Sequence, residues 1–214
     1  MHSEVLLVAT PHRWPRIQCC GAIQARCTAP DTVHLVSAAA TPLGGDTINI
    51  RLIVEPGARL NVRSAAAALV LPGPHTTTSQ ACWELDVSGI LDVDLQPTVV
   101  AATARHMSSA VVRLCDEGQL RFRERVQIGR SGERAGFWSG SLRADRQGRP
   151  VLRHRMELGA GSLADDEIAA PRAIITELHY PASVFADSFD EGATVMSLAA
   201  GGTLSTWQGE RLAG

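Results

Sequence analysis

Residues 41–64 read TPLGGDTINIRLIVEPGARLNVRS, and this stretch decides the fold class. Pro42 and the pair Gly44-Gly45 punctuate the chain. From Thr47 the side chains alternate, with Ile48, Ile50, Leu52 and Val54 on one face and Thr47, Asn49 and Arg51 on the other. A period of two marks a half-buried strand, because successive Cβ atoms point to opposite faces. Glu55-Pro56-Gly57-Ala58 then makes a tight turn, in which Pro fixes φ and Gly accepts positive φ. Leu60 and Val62 resume the inward face while Arg59, Asn61 and Arg63 point out. Taken alone, the stretch reads as a β-hairpin.

The same pattern extends both ways. Residues 5–9, 17–28 and 33–37 read as strands, broken at Pro11-His12-Arg13-Trp14-Pro15 and at Ala29-Pro30-Asp31. Residues 65–71 are small and apolar; an Ala run favours helix in isolation, but strands on both sides favour an extended, buried segment. Residues 76–79 read as loop. Residues 81–87 and 91–95 form a second hairpin about Ser88-Gly89, with Asp92 and Asp94 aligned on an outer, solvated face. Residues 99–102, 109–114 and 120–128 continue the series, and 137–146 with 150–158 make a hairpin about Gln147-Gly148. Ser162 caps a short helical turn over 162–170, with Asp165, Asp166 and Glu167 at its start. Residues 181–190 read as a loop or helical turn, and 173–180, 194–199 and 203–207 as the last strands. About a dozen strands without a βαβ rhythm predict an all-β domain over residues 1–214, with one or two short helices. It is built either as stacked sheets or as a β-helix-like pile.

One strand carries an anomaly. Leu120, Phe122, Val126 and Ile128 share the apolar face of residues 120–128, and Glu124 falls on that face with them. A carboxylate pointing into a core must be paired or protonated, since an isolated buried charge is too costly. Two readings follow: a structural Arg partner, or a place on the wall of a cavity.

Composition narrows the chemistry. The chain has 214 residues, a formal charge of −2 and an aromatic content of only 4%. Nothing in that balance points to nucleic acid or to an anionic membrane. All 20 basic residues are Arg, so no P-loop or Schiff-base Lys exists. The five Cys are odd in number and scattered, with no C-x-x-C, which excludes a disulfide framework and a zinc ribbon. The first residues lack the basic lead-in of a signal peptide, and no segment has the roughly 20 apolar residues that span a bilayer; the cytoplasm is the expected compartment. The seven His form no H-E-x-x-H, no G-x-S-x-G nucleophile elbow occurs, and Gly129-Arg130-Ser131-Gly132-Glu133 lacks the spacing of a phosphate loop.

The ordered set of motifs resembles the urease accessory protein UreD (UreH) family. Thr41-Pro42-Leu43-Gly44-Gly45-Asp46, a long alternating strand, Glu55-Pro56-Gly57-Ala58-Arg59 and a Val70-Leu71-Pro72-Gly73 turn come in the family's order. Leu95-Gln96-Pro97-Thr98 is similar to the family's L-P-x-x-x-I segment with its Pro displaced. Glu124, Ile128-Gly129-Arg130 and Gly132-Glu133 resemble its E-x-x-x-x-G-R…G-E signature. Gly140-Ser141-Leu142-Arg143 followed by Pro150-Val151-Leu152 completes the set, which covers about residues 30 to 160. The chain is shorter than typical members, and its first 30 residues match poorly.

The resemblance implies a non-enzymatic scaffold with a β-helix-like fold. It implies UreF and UreG homologues and apo-urease subunits as partners, a chaperone-like part in assembling the metallocentre, and nickel in transit rather than a tightly bound cofactor. It makes Gly44, Gly45, Asp46, Glu55, Pro56, Gly57, Gln96, Gly129, Arg130 and Glu133 the family-motif residues, with Glu124 as a transient channel ligand. A carboxylate suits that role because it ligates weakly and exchanges, whereas a thiolate cluster would retain the metal. The competing expectation is a small all-β hydrolase or carbohydrate-binding domain using aligned carboxylates and exposed Trp14, Trp83, Trp138 or Trp207.

Overall fold

A computed structural model describes all residues except 116, 164, 166–169, 183–189 and 213–214. The alternation along residues 47–54 becomes β5 (Thr47–Val54), and that along 59–64 becomes β6 (Arg59–Ser64). They do not pair with each other. β5 lies parallel to β1 (His2–Ala9) and β8 (Thr78–Val87), whereas β6 lies parallel to β4 (Thr32–Ser37) and β9 (Ile90–Asp94) in another sheet. The turn at 55–58 is therefore an arch between two facing sheets, not the loop of a hairpin. Ala58 N–H bonds to the Glu55 carbonyl at 3.0 Å, and Gly57 takes φ 75°. In a hairpin and in an arch alike, Leu52 and Leu60 reach one core, so the alternation fits both.

The chain repeats this step. The expected hairpin at 81–95 is a second arch, from β8 to β9, and a third runs from β11 (Arg105–Leu114) to β12 (Gln119–Ile128). One sheet has the order β14-β13-β11-β8-β5-β1-β2 and the other β16-β17-β15-β12-β9-β6-β4-β3. Here β13 (Phe137–Arg146) and β14 (Arg149–Gly159) form the expected hairpin, and β15 (Ala173–Tyr180), β16 (Thr194–Ser197) and β17 (Thr203–Gly209) extend the second sheet antiparallel. Two short strands, β7 (Ala68–Val70) and β10 (Thr98–Val100), pair in parallel along a third side, and β10 also pairs with the end of β12. The fold is thus all-β and solenoid-like, each coil visiting both sheets and then the third side.

Stacked side chains hold the coils together. Leu7, Leu52, Leu85, Val112 and Ala144 lie in register across the first sheet, each fully buried. Val33, Val62, Val93, Phe122, Leu178 and Leu204 do the same across the second. Burying a side chain of this size contributes about 1.5–3 kcal/mol, which compensates for a core poor in aromatics.

Several expectations are corrected. Residues 17–28 are two strands, β2 (Arg16–Cys20) and β3 (Ile23–Ala29), split where Gly21 takes φ 87° and the chain changes sheets. A side chain at Gly21 would strike the backbone of His2 and Ser3. Residues 65–67 are exposed, because Ala carries too little apolar area to demand burial. Residues 78 and 79 belong to β8 rather than to a loop. The described strands number 17, not about a dozen. No helix occurs among the described residues; most of the helical turn expected at 162–170, and of the segment at 181–190, lies outside them.

Asp92 and Asp94 are not simply solvated. Arg63 holds Asp92 at 2.7 Å, Arg125 holds Asp94 at 2.7 Å, and Arg121 bridges both at 3.5 and 3.6 Å. The ladder continues inward to Glu177, which is 1% exposed and meets Arg121 at 2.6 Å and Arg123 at 3.3 Å.

Candidate functional site

The two sheets do not close completely on each other. Between them lies a cavity of about 240 Å³. Ile48, Ile50 and Trp83 wall it from the first sheet, and Val93 and Phe122 from the second. Its exposed lining residues, Ser37, residues 65–67 and Gln96, mark where it opens. Small side chains at the opening leave it unblocked.

Glu124 lines this cavity from the second sheet. Its partner is not an Arg: Ser108, on the opposite sheet, donates a 2.7 Å hydrogen bond to Glu124 Oε1. Burial raises the Glu124 pKa to about 7, and the Ser108 hydroxyl offsets only part of that. His106, two residues earlier on β11, also lines the cavity. It is buried with Nδ1 2.9 Å from Ser79 Oγ, and burial lowers its pKa to about 4.

Glu124 also borders a second, smaller void of about 10 Å³, together with Phe122, Trp138, His154, Met156 and Thr176. Trp138 Nε1, His154 Nε2 and Thr176 Oγ1 are buried there without a hydrogen-bond partner among the described residues. The carboxylate therefore stands between the larger cavity and a small void into which a few unpaired polar atoms face. Such a site can hold water or offer one oxygen ligand to a passing cation. Among the described residues, no group of three or more His, Cys, Asp or Glu side chains is arranged as a metal cage.

The family-motif residues fall in separate places. Gly44 packs so closely on Thr76 and Gly73 that a Cβ would collide with backbone, and Gly45 takes φ 95°. Asp46, beside them, ties the turn through Thr41 Oγ1 at 2.9 Å, Leu43 N–H at 2.8 Å and the Met1 ammonium at 2.7 Å. Burial alone would raise its pKa, and these donors together bring it below the usual range. Glu55, Pro56 and Gly57 form the exposed first arch. Gln96 sits at the cavity opening, its N–H on Ser64 Oγ at 2.9 Å. Gly129, Arg130 and Glu133 form a loop away from the cavity lining, tied to Val100 and Ala102. Glu133 accepts from Ala102 N–H at 2.9 Å, Arg130 N–H at 3.0 Å and Arg130 Nε at 2.9 Å. The Arg130 guanidinium and these backbone donors hold its carboxyl at about 2. Gly129 takes φ 77° where a Cβ would meet the Glu133 carbonyl.

Sequence reasoning does not single out Ser108 or Thr176, and it favours packing roles for His106 and His154 over a place at a functional site. No motif marks them: Thr176 pairs in register with Glu124 on the neighbouring strand, and the other three come from the opposite sheet. Trp83 and Trp138, offered as exposed sugar platforms, are 8% and 2% exposed, and Asp92 and Asp94 are engaged by Arg.

A sequence model of the UreD urease accessory protein family matches residues 18–204. The chain belongs to the UreD family. Urease accessory protein UreD 1 of Saccharopolyspora erythraea is 34% identical over 186 residues, 83% of this chain and 71% of that protein. The UreD proteins of Frankia alni and Streptomyces coelicolor are 43% identical over 116 residues and 30% identical over 185. Those alignments cover 53% and 81% of this chain, and 39% and 73% of the respective proteins. The match to Frankia alni UreD thus spans well under half of that relative. UreD membership places the chain among urease accessory proteins, and no helix among its described residues is long and apolar enough to cross a membrane.

Proposed function

We propose that this UreD-family chain is a non-enzymatic, cytoplasmic urease maturation factor. It binds apo-urease subunits together with UreF and UreG homologues, and assists nickel insertion into the urease active site. Nickel is cargo here, passing through the interior of the solenoid. The single observation that carries this reading is the inter-sheet cavity with one carboxylate, Glu124, on its wall. Apart from Glu124 the cavity lining carries no carboxylate or thiolate, so a cation would not be trapped along the way. One carboxylate, partly neutralised by its own proton, supplies a weak and exchangeable ligand, as a transfer path requires.

The test is Glu124→Gln in cells that express the urease operon. Expected are normal assembly with UreF, UreG and apo-urease, and a marked loss of urease activation and of nickel in the purified urease. Unchanged activation with normal assembly would remove the channel role.

A further inference from the structure

The loop at residues 11–15 has no part in the cavity, and it lies ahead of the residues matched by the family model. Among the described residues it carries the most exposed aromatic side chain. Trp14 is 60% exposed, while Trp83 and Trp138 are buried and Trp207 is half-buried. His12, Arg13 and Arg16 around it are exposed as well.

The loop is held rigid from both ends. Pro15 is buried, and its carbonyl accepts a bond from Cys27 Sγ at 3.8 Å. Pro11 lies over Gly57 of the first arch, its Cγ 3.6 Å from where a Cβ on that residue would stand. Between the two prolines His12 takes φ 58°, a left-handed conformation that turns the chain sharply. Trp14 is therefore presented on a fixed support, and little conformational entropy would be lost when it is buried by a partner.

Its charge is one-sided. From residue 5 to residue 30 the chain has Arg13, Arg16 and Arg26 and no Asp or Glu, although its net charge is −2. Among the described residues no ion pair engages Arg13 or Arg16, whereas Arg121, Arg123 and Arg125 are each held by carboxylates. A rigid Trp flanked by uncommitted Arg is the composition of an interface hot spot. Beside it, β2 pairs only with β1 and leaves one backbone edge open.

We propose that the loop at residues 11–15 is a docking knob, with Trp14 entering an apolar pocket on a protein partner whose carboxylate rim meets Arg13 and Arg16. Nucleic acid and anionic membrane are disfavoured, because so few cations stand on a chain of net negative charge. The inference goes beyond the maturation reading by assigning a surface, and rests on that reading for its probes.

The experiment uses the full chain and measures binding to cognate apo-urease and to the cognate UreF homologue, at about 50 and about 300 mM salt. Transfer RNA and vesicles of equimolar phosphatidylcholine and phosphatidylglycerol serve as the other arms. Trp14→Ala is expected to weaken binding to one protein probe by at least about tenfold. Arg13→Glu with Arg16→Glu is expected to slow association and remove its salt dependence. Both variants should melt with the wild type, since these side chains are exposed. Affinities within about twofold of wild type for both protein probes overturn the knob alone. Trp14-dependent binding to RNA or vesicles without protein binding also overturns it. A wild-type chain that binds neither protein probe overturns the knob and the maturation reading together.

Discussion

Ser108 and Glu124 meet across the core from opposite sheets, the Ser108 hydroxyl donating to the Glu124 carboxylate at 2.7 Å. This pair is a polar contact between the two walls of the cavity. The carboxyl there is raised to about 7 from 4.5, mainly by burial.

That shift has a sign in stability. Between pH 4.5 and 7 the folded chain keeps the Glu124 proton while the unfolded chain loses it, so stability falls as pH rises and levels off above 7. Glu124→Gln keeps the shape and removes this cost. The variant should be more stable than wild type by about 2 kcal/mol at alkaline pH, with the gain vanishing near the unfolded value. Urea midpoints across the range test it; a difference independent of pH would show a solvated carboxylate.

His106 acts in the opposite sense. Its folded pKa of about 4 lies below the ordinary 6.5, so folding excludes a proton and stability drops as pH falls through that window. His106→Gln should flatten the acid limb of the stability curve by about 2 kcal/mol, seen as a smaller loss of melting temperature on acidification. An unchanged acid limb would mean that His106 titrates normally.

Filling the cavity separates passage from assembly. Ala81 lines the cavity and lies in register with Ser108. Ala81→Phe places a ring there at a cost below about 3 kcal/mol from overpacking. The expected result is a folded chain that still assembles with its partners but activates little urease. Full activation by a variant whose cavity is filled would count against transit through it.

Glu177 neutralises two half-buried guanidinium groups. Glu177→Gln leaves them without their shared carboxylate and should cost about 3 kcal/mol, lowering the melting temperature by about 6–12 °C. A drop of only a degree or two would show that the remaining acids and water compensate.

Gly129→Ala should also unfold the chain at lower denaturant, by about 2 kcal/mol or more. The residue takes φ 77°, and a Cβ would meet the Glu133 carbonyl. Wild-type stability would mean that the loop relaxes freely.

Local signals in the sequence are legible where covalent geometry alone decides. Gln147 and Gly148 take φ 49° and 75°, the turn that joins β13 and β14 as the sequence predicts. The inward position of Glu124 follows from the period of two, and the ordered motifs lead to the UreD family. Partner choice was not legible. Residues 47–54 and 59–64 look like a hairpin, yet Leu52 stacks on Leu85 and Leu60 on Leu91.

Alternation is a property of each residue and its neighbours, so the sequence by itself determined most of the strands, the buried face of each long one, and the family. Pairing is a choice among equivalent backbone donors and acceptors. It was decided by how many Leu and Val side chains a stack of coils buries together. Only that stacking brings Ser108 to Glu124, opens a cavity between the sheets, and leaves Trp14 standing on the outside.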